Sequence, residues 1–261
     1  MSGRRRIVFG IVIALLAGAA LSPWAWRAGS LYWAKYKARQ TFSNLTPADR
    51  AALNSTPASV TLPNFDPDSQ PVDAIDFGSH RFRVLRPTSQ PDRDGAHVRL
   101  TYPTFQAIFF YIGPLADDDV AAARQLQFKD EFDFESAAYH TRLDDLEALP
   151  DLASFPRFLS LIHEKGGMFK FSEEFARDDV RGFIVGRRSI NEPFGGSTKS
   201  CFVNLFFPAS KIHLTLFLNY DQPVSTGDAA RAYVAVIRVD PKADDTTRTT
   251  TRTEPATDRA S

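Results

Sequence analysis

The chain has 261 residues, enough for a membrane anchor and one domain with its own core. Lys plus Arg number 31, as do Asp plus Glu, so the formal charge is zero and the basic excess of a dedicated nucleic-acid binder is missing. One cysteine, Cys201, excludes an intrachain disulfide and a multi-thiolate metal site, and Ala19 stands where a lipobox would need its lipidated cysteine.

Residues 1–26 predict an N-terminal membrane anchor. Ile7 to Trp26 carries no charge, follows Arg4-Arg5-Arg6 and precedes Tyr32 and Trp33. Twenty apolar helical residues rise about 30 Å, one hydrocarbon core. Basic and aromatic flanks suit the two interfaces. A cleaved signal peptide, with Ala17-Gly18-Ala19 as its small-x-small site, is the alternative. The arginines abutting the run predict an N-in, C-out single pass, with the domain periplasmic at a bacterial inner membrane.

Residues 27–73 read as a juxtamembrane helix and a Pro-rich linker. RAGSLYWAKYKARQ mixes aromatic and basic residues. Thr46-Pro47-Ala48-Asp49 opens a short helix with a capping box, and Pro57, Pro63, Pro67 and Pro71 then block regular structure. An extended linker or strap across the domain is expected over 54–72.

Residues 74–240 predict an α+β domain, an antiparallel sheet flanked by helices. HRFRVLR alternates with the period of a half-buried strand, Val98–Tyr102 is a second strand, and QAIFFYI reads as a central strand buried on both faces. Asp117-Asp118-Asp119 starts a helix to about Gln127, the carboxylates meeting its dipole rather than a metal. Phe128, Phe132 and Phe134 alternate with charges and suggest a strand, with a helix after it. Ser154 to Lys165 repeats apolar residues at i, i+3, i+4 and i+7, a helix closed by Gly166-Gly167. Met168–Phe171 reads as a short strand, with Glu173-Glu174 and Asp178-Asp179 solvated. Three strands follow, Arg181–Ser189, Ser200–Phe207 and Lys211–Tyr220. A helix from Ser225-Thr226-Gly227-Asp228 runs through Ala230, Tyr233, Val234 and Ile237 to Pro241. Residues 241–261 are polar and predict a disordered tail.

The last hairpin fixes which side chains share a face. Cys201, Val203, Leu205 and Phe207 pair with Ile212, Leu214, Leu216 and Leu218, because a one-residue slip would expose the aliphatics. His213 then points away from Cys201, which argues against a Cys–His dyad and for an inert buried thiol. No HxH, HxxH or HExxH spacing occurs among the five histidines, so no local metal signature exists and no cofactor is predicted. Gly195–Ser200 lacks the P-loop spacing and leads into a strand.

The opposite face carries Phe202, Asn204, Phe206, His213, Thr215 and Phe217. These form the candidate ligand or partner surface, with covering helices as the rival expectation. Arg187 and Arg188, beside the INEPFGG loop, are candidate contacts for an acidic partner.

The HRFRVLRP opening, and the CFVNLFFPASKIHLTLFLNY hairpin running into STGDAARAYVAVIRV, resemble the Mog1/PsbP-like fold. That resemblance implies a binding or accessory module without a shared catalytic set. The sequence therefore reads as a membrane-anchored, non-catalytic envelope protein that binds another protein, and not nucleic acid. An immunity protein against a delivered toxin belongs to the same class. Two other readings stay open: an enzyme using dispersed residues such as Asp130, Glu131, Glu173 or His213, and a small-ligand or lipid carrier on the Phe-rich face.

Overall fold

The computed structural model describes residues 3–66, 70–114, 128–166, 169–188 and 196–240, with side chains described from Pro23 onward, Phe169 excepted. A first helix, α1 (Gly3–Phe42), runs unbroken through Pro23. Its inner stripe is Leu31, Ala34, Lys35, Ala38 and Phe42, the spacing of one helical face. Ala38 enters an apolar cluster with Leu53, Leu143, Leu146, Phe158 and Ile162. Lys35 Nζ donates to the Glu147 carbonyl at 2.8 Å, and Arg39 meets the Glu147 carboxylate in a fork of 2.8 and 2.6 Å. The second half of α1 is thus docked on the domain.

Among the described residues no helix is long and apolar enough to cross a membrane. That finding overturns the expected transmembrane, single-pass anchor. What the sequence run leaves out is the rest of the helix, whose charged second half is docked on the domain. The apolar run is not a separate rod, because α1 continues past it, and Arg27, Lys35, Lys37 and Arg39 break the apolar character of the described portion. The inner-membrane, periplasmic placement had rested on that anchor.

The chain then forms α2 (Pro47–Asn54), capped reciprocally by Thr46 and Asp49 at 3.1 and 3.3 Å. Strands β1 (Ala58–Val60), β2 (Val72–Phe77), β3 (His80–Leu85), β4 (Asp92–Asp94), β5 (His97–Thr101) and β6 (Phe105–Pro114) come next. After them stand α3 (Glu131–His140), a 3-10 turn (Leu143–Ala148) and α4 (Ser154–Gly166). Strands β7 (Phe169–Arg177), β8 (Val180–Arg187), β9 (Thr198–Phe207) and β10 (Ile212–Val224), helix α5 (Asp228–Val234) and β11 (Arg238–Asp240) complete the described chain.

Eight strands make the main sheet, in the order β1-β7-β8-β9-β10-β6-β5-β4, antiparallel except for the parallel β1–β7 pair. Strands β11, β3 and β2 form a second sheet. The described domain is therefore a mixed α/β body around an eight-stranded sheet. In the hairpin Cys201 faces Leu218, Val203 faces Leu216 and Leu205 faces Leu214. This aliphatic face meets the small sheet and α5 in the main core, where Phe82 lies 5.8 Å from Phe109 and Tyr102 shares a 3.2 Å hydroxyl contact with Tyr233. Gly182 has no room for a side chain, since a Cβ there would strike the Asn204 carbonyl oxygen and the Phe175 ring.

Several local expectations need correction. Residues 131–140 are a helix, not a strand: Phe132 turns toward the sheet and stacks on Phe183, while Phe134 meets Phe128 edge-on. Glu173 is buried rather than solvated; it accepts from the Gly227 amide at 3.0 Å and pairs with Arg231 at 3.3 Å. Helix α5 ends at Val234, so Ile237 follows the helix, and β11 pairs with β3. Strand β6 is open on its outer face, with Phe110 and Tyr111 exposed. The helix expected over 117–127, residues 190–195 of the INEPFGG loop and the tail from 241 lie outside the described residues.

Candidate functional site

The outer face of the main sheet is divided by α3. Asp130 caps this helix, its Oδ1 accepting from the Asp133 amide at 2.9 Å, and also lies 3.7 Å from Arg181. The Arg181 guanidinium rests 3.7 Å over the Phe132 ring. Phe132 packs on Phe183 and Phe206, which holds α3 across β8 and β9. Asn204, Phe206, His213 and Thr215 fall on the covered side, while Phe202, packed against the edge of that cluster, and Phe217 are half-buried beside it.

Under α3 the polar side chains form one chain of contacts. Asn204 Nδ2 donates to both Glu135 oxygens at 2.9 and 2.8 Å. Its Oδ1 accepts from the Thr215 hydroxyl at 2.9 Å. That uses the only hydroxyl hydrogen, so Thr215 must accept from His213 Nε2 at 3.2 Å. His213 Nδ1 is left facing Glu131 Oε2 at 2.7 Å. Phe206 stacks flat on the imidazole at 4.4 Å and Tyr111 tilts over it at 5.5 Å. The hydroxyl–imidazole–carboxylate order looks like that of a nucleophile triad, but the donors run the wrong way. Nε2 carries its proton toward Thr215 and is not available as that hydroxyl's base.

Burial, with the like charge of Glu131, pushes the Glu135 carboxyl up to about 8, although the Asn204 amide works in the other direction. Burial drives the Tyr139 phenol well above its ordinary range. Of the dispersed acid–base candidates, Glu131 and His213 meet, Asp130 serves the helix start, and Glu173 belongs to the α5 contact. Glu135 was not legible while 128–134 read as a strand. A helical reading would have put Glu131 and Glu135 one turn apart on one face.

The uncovered side centres on Phe202 and Phe217, whose rings meet edge-on at 5.0 Å. The Arg187 guanidinium lies 5.5 Å from the first ring and 5.3 Å from the second. Strand β6 carries one residue too many against β10: Thr215 faces Tyr111 and Leu216 faces Phe109, so Phe110 is left out of the pairing. Such a bulge re-aims a side chain. Phe110 stands 53% exposed and stacks on His97 at 4.9 Å and 7°. Phe110, Phe202 and Phe217, with Ile108, floor a hollow of about 450 Å³ rimmed by Asp92, Asp94, His97, Arg99 and Arg187. Arg99 lies 3.5 Å from Asp92. Among the described residues no carboxylate pairs with Arg187.

Arg188 is separated from this surface. It lines a hollow of about 730 Å³ with Phe42, Leu45, Leu53 and Leu159, between α1, α2 and α4. Cys201 is fully buried on the inner face, and burial pushes its thiol up to about 12.

No family model, curated protein or solved structure matches this chain.

Proposed function

We propose that this protein is a binding module whose partner is a polypeptide seated on the open half of the sheet. The observation that carries this reading is the placement of Arg187 over Phe202 and Phe217, beside the bulged-out Phe110. Aromatic rings and arginine are enriched at the centre of protein interfaces relative to the rest of the surface. The hollow of about 450 Å³ is large enough to seat one or two apolar side chains of a partner. Arg99 already has Asp92, so among the described residues Arg187 is the rim arginine left for an incoming carboxylate. A charge-assisted bond there, shielded by the rings, supplies orientation as well as affinity. The partner surface is thus an apolar side chain next to an acidic one. An accessory factor or an immunity protein would use such a surface.

Retention of a polypeptide by the full chain, compared with Arg187→Glu, tests the reading. The expected result is a polypeptide held by the parent, lost by Arg187→Glu, and recovered when one acidic residue of that polypeptide is changed to Lys. Equal retention by both chains would overturn it. So would native mass spectra showing lipid on the parent, which would favour a lipid carrier.

A further inference from the structure

We infer that Glu131, Glu135 and His213 form a binding site for a divalent first-row metal ion of the zinc class. One oxygen from each carboxylate and one imidazole nitrogen lie within 4.8 Å of one another. Ligand atoms around a zinc ion at about 2.0–2.2 Å stand roughly 3–3.5 Å apart, so the widest pair would close by up to about 1.5 Å while the Glu131–Nδ1 pair, now 2.7 Å, would open slightly. Two oxygens and one nitrogen suit zinc or a similar ion better than calcium, which takes oxygen alone.

The surrounding groups are those a metal site needs. His213 is 3% exposed, and with Nε2 against Thr215 its Nδ1 faces the Glu131 carboxylate at 2.7 Å. Asn204 holds Glu135 in the same way, and Thr215 joins the two supports. Phe206 stacked on the ring leaves the imidazole little freedom to rotate. The two carboxylates come from adjacent turns of α3 and the imidazole from β10, so an ion would tie helix to strand. Histidine spacing gave no hint of this, because Glu131 and His213 are 82 positions apart. The contact between Glu131 and Nδ1 holds one shared proton. A metal ion takes that proton's place, and the proton leaves to solvent.

The test uses the full chain, stripped with chelator and titrated with Zn²⁺ by calorimetry and with Co²⁺ by visible absorption. The expected result is one ion per chain and a higher Tm in Zn²⁺. Glu135→Gln should weaken binding by about 100-fold or more, a larger loss than typical for an outer-shell partner. His163→Ala should bind as the parent does. Nitrogen-resolved NMR of the unmodified chain provides a readout independent of any variant, with metal expected on His213 Nδ1 and the proton on Nε2. Absence of stoichiometric binding, unchanged affinity in folded Glu135→Gln, or metal on another histidine would each overturn the site. Loss of polypeptide binding in Arg187→Glu has no bearing on this result, so the two claims fail separately.

Discussion

The Arg187 guanidinium lies over Phe217 at 5.3 Å and over Phe202 at 5.5 Å, two half-buried rings at the edge of the covered face. An exposed cation on two rings contributes about 0.5–1 kcal/mol to the fold. Arg187→Ala should therefore lower stability by no more than that, while removing the positive contact of the open surface. Chemical denaturation of parent and variant checks the first half. A loss of several kcal/mol would make Arg187 a core residue rather than a surface group.

Lys165 joins three segments, and its stability contribution depends on pH in a way that can be worked out. It is completely buried, and its Nζ donates to the Thr141 carbonyl at 2.6 Å and to the Ser55 carbonyl. Burial pulls the ammonium down to about 8 from its ordinary 10.5, with Asp145 opposing and Arg142 adding to the fall. Between these values the unfolded chain holds more protons on this group than the folded chain. Its term in the unfolding free energy accordingly rises with pH. The stability of the parent relative to Lys165→Met should rise by about 1–2 kcal/mol from pH 7 to 9.5. Parallel denaturation curves across that range would show it; a constant difference would mean that Lys165 keeps its ordinary affinity for protons.

Cys201 is expected to be inert. It sits on the aliphatic face opposite Leu218, with its thiol held far above neutrality. Iodoacetamide at pH 7.5 should leave the native chain unmodified and label it fully in denaturant. Rapid native labelling would require a different hairpin register.

The docking of α1 rests on small residues at its inner stripe. Ala38 is 6% exposed, in the cluster with Leu53 and Phe158. Ala38→Asp buries an unpaired charge there and should cost about 2–4 kcal/mol. Amide exchange in residues 30–42 should accelerate first. Glu147→Ala removes only a surface pair and should cost no more than about 1 kcal/mol.

What the sequence made legible follows from which forces act locally. The hairpin register could be read because eight aliphatic or apolar side chains on β9 and β10 share one face, and a slip of one would put them in water. The capping box at Thr46 and the α4 periodicity were equally local. What covers the outer face was not legible, since it depends on where α3 docks, through contacts such as Phe132 with Phe206. The period-two phenylalanines of 128–134 misled because two of them serve different neighbours of a helix. The Phe110 bulge is a mismatch between two strands and has no signal in either one. The apolar N-terminal run carries no local sign of the rest of α1, whose second half belongs to the domain.

The most direct measurement places a photo-reactive phenylalanine analogue at Phe110 of the full chain and irradiates it in the cells from which the protein comes. A polypeptide surface docked there should yield one discrete protein adduct, absent when Arg187→Glu is added and absent from the same analogue at Leu152. Adducts of lipid alone, or the same proteins from both positions, would contradict the assignment of this face to a polypeptide partner.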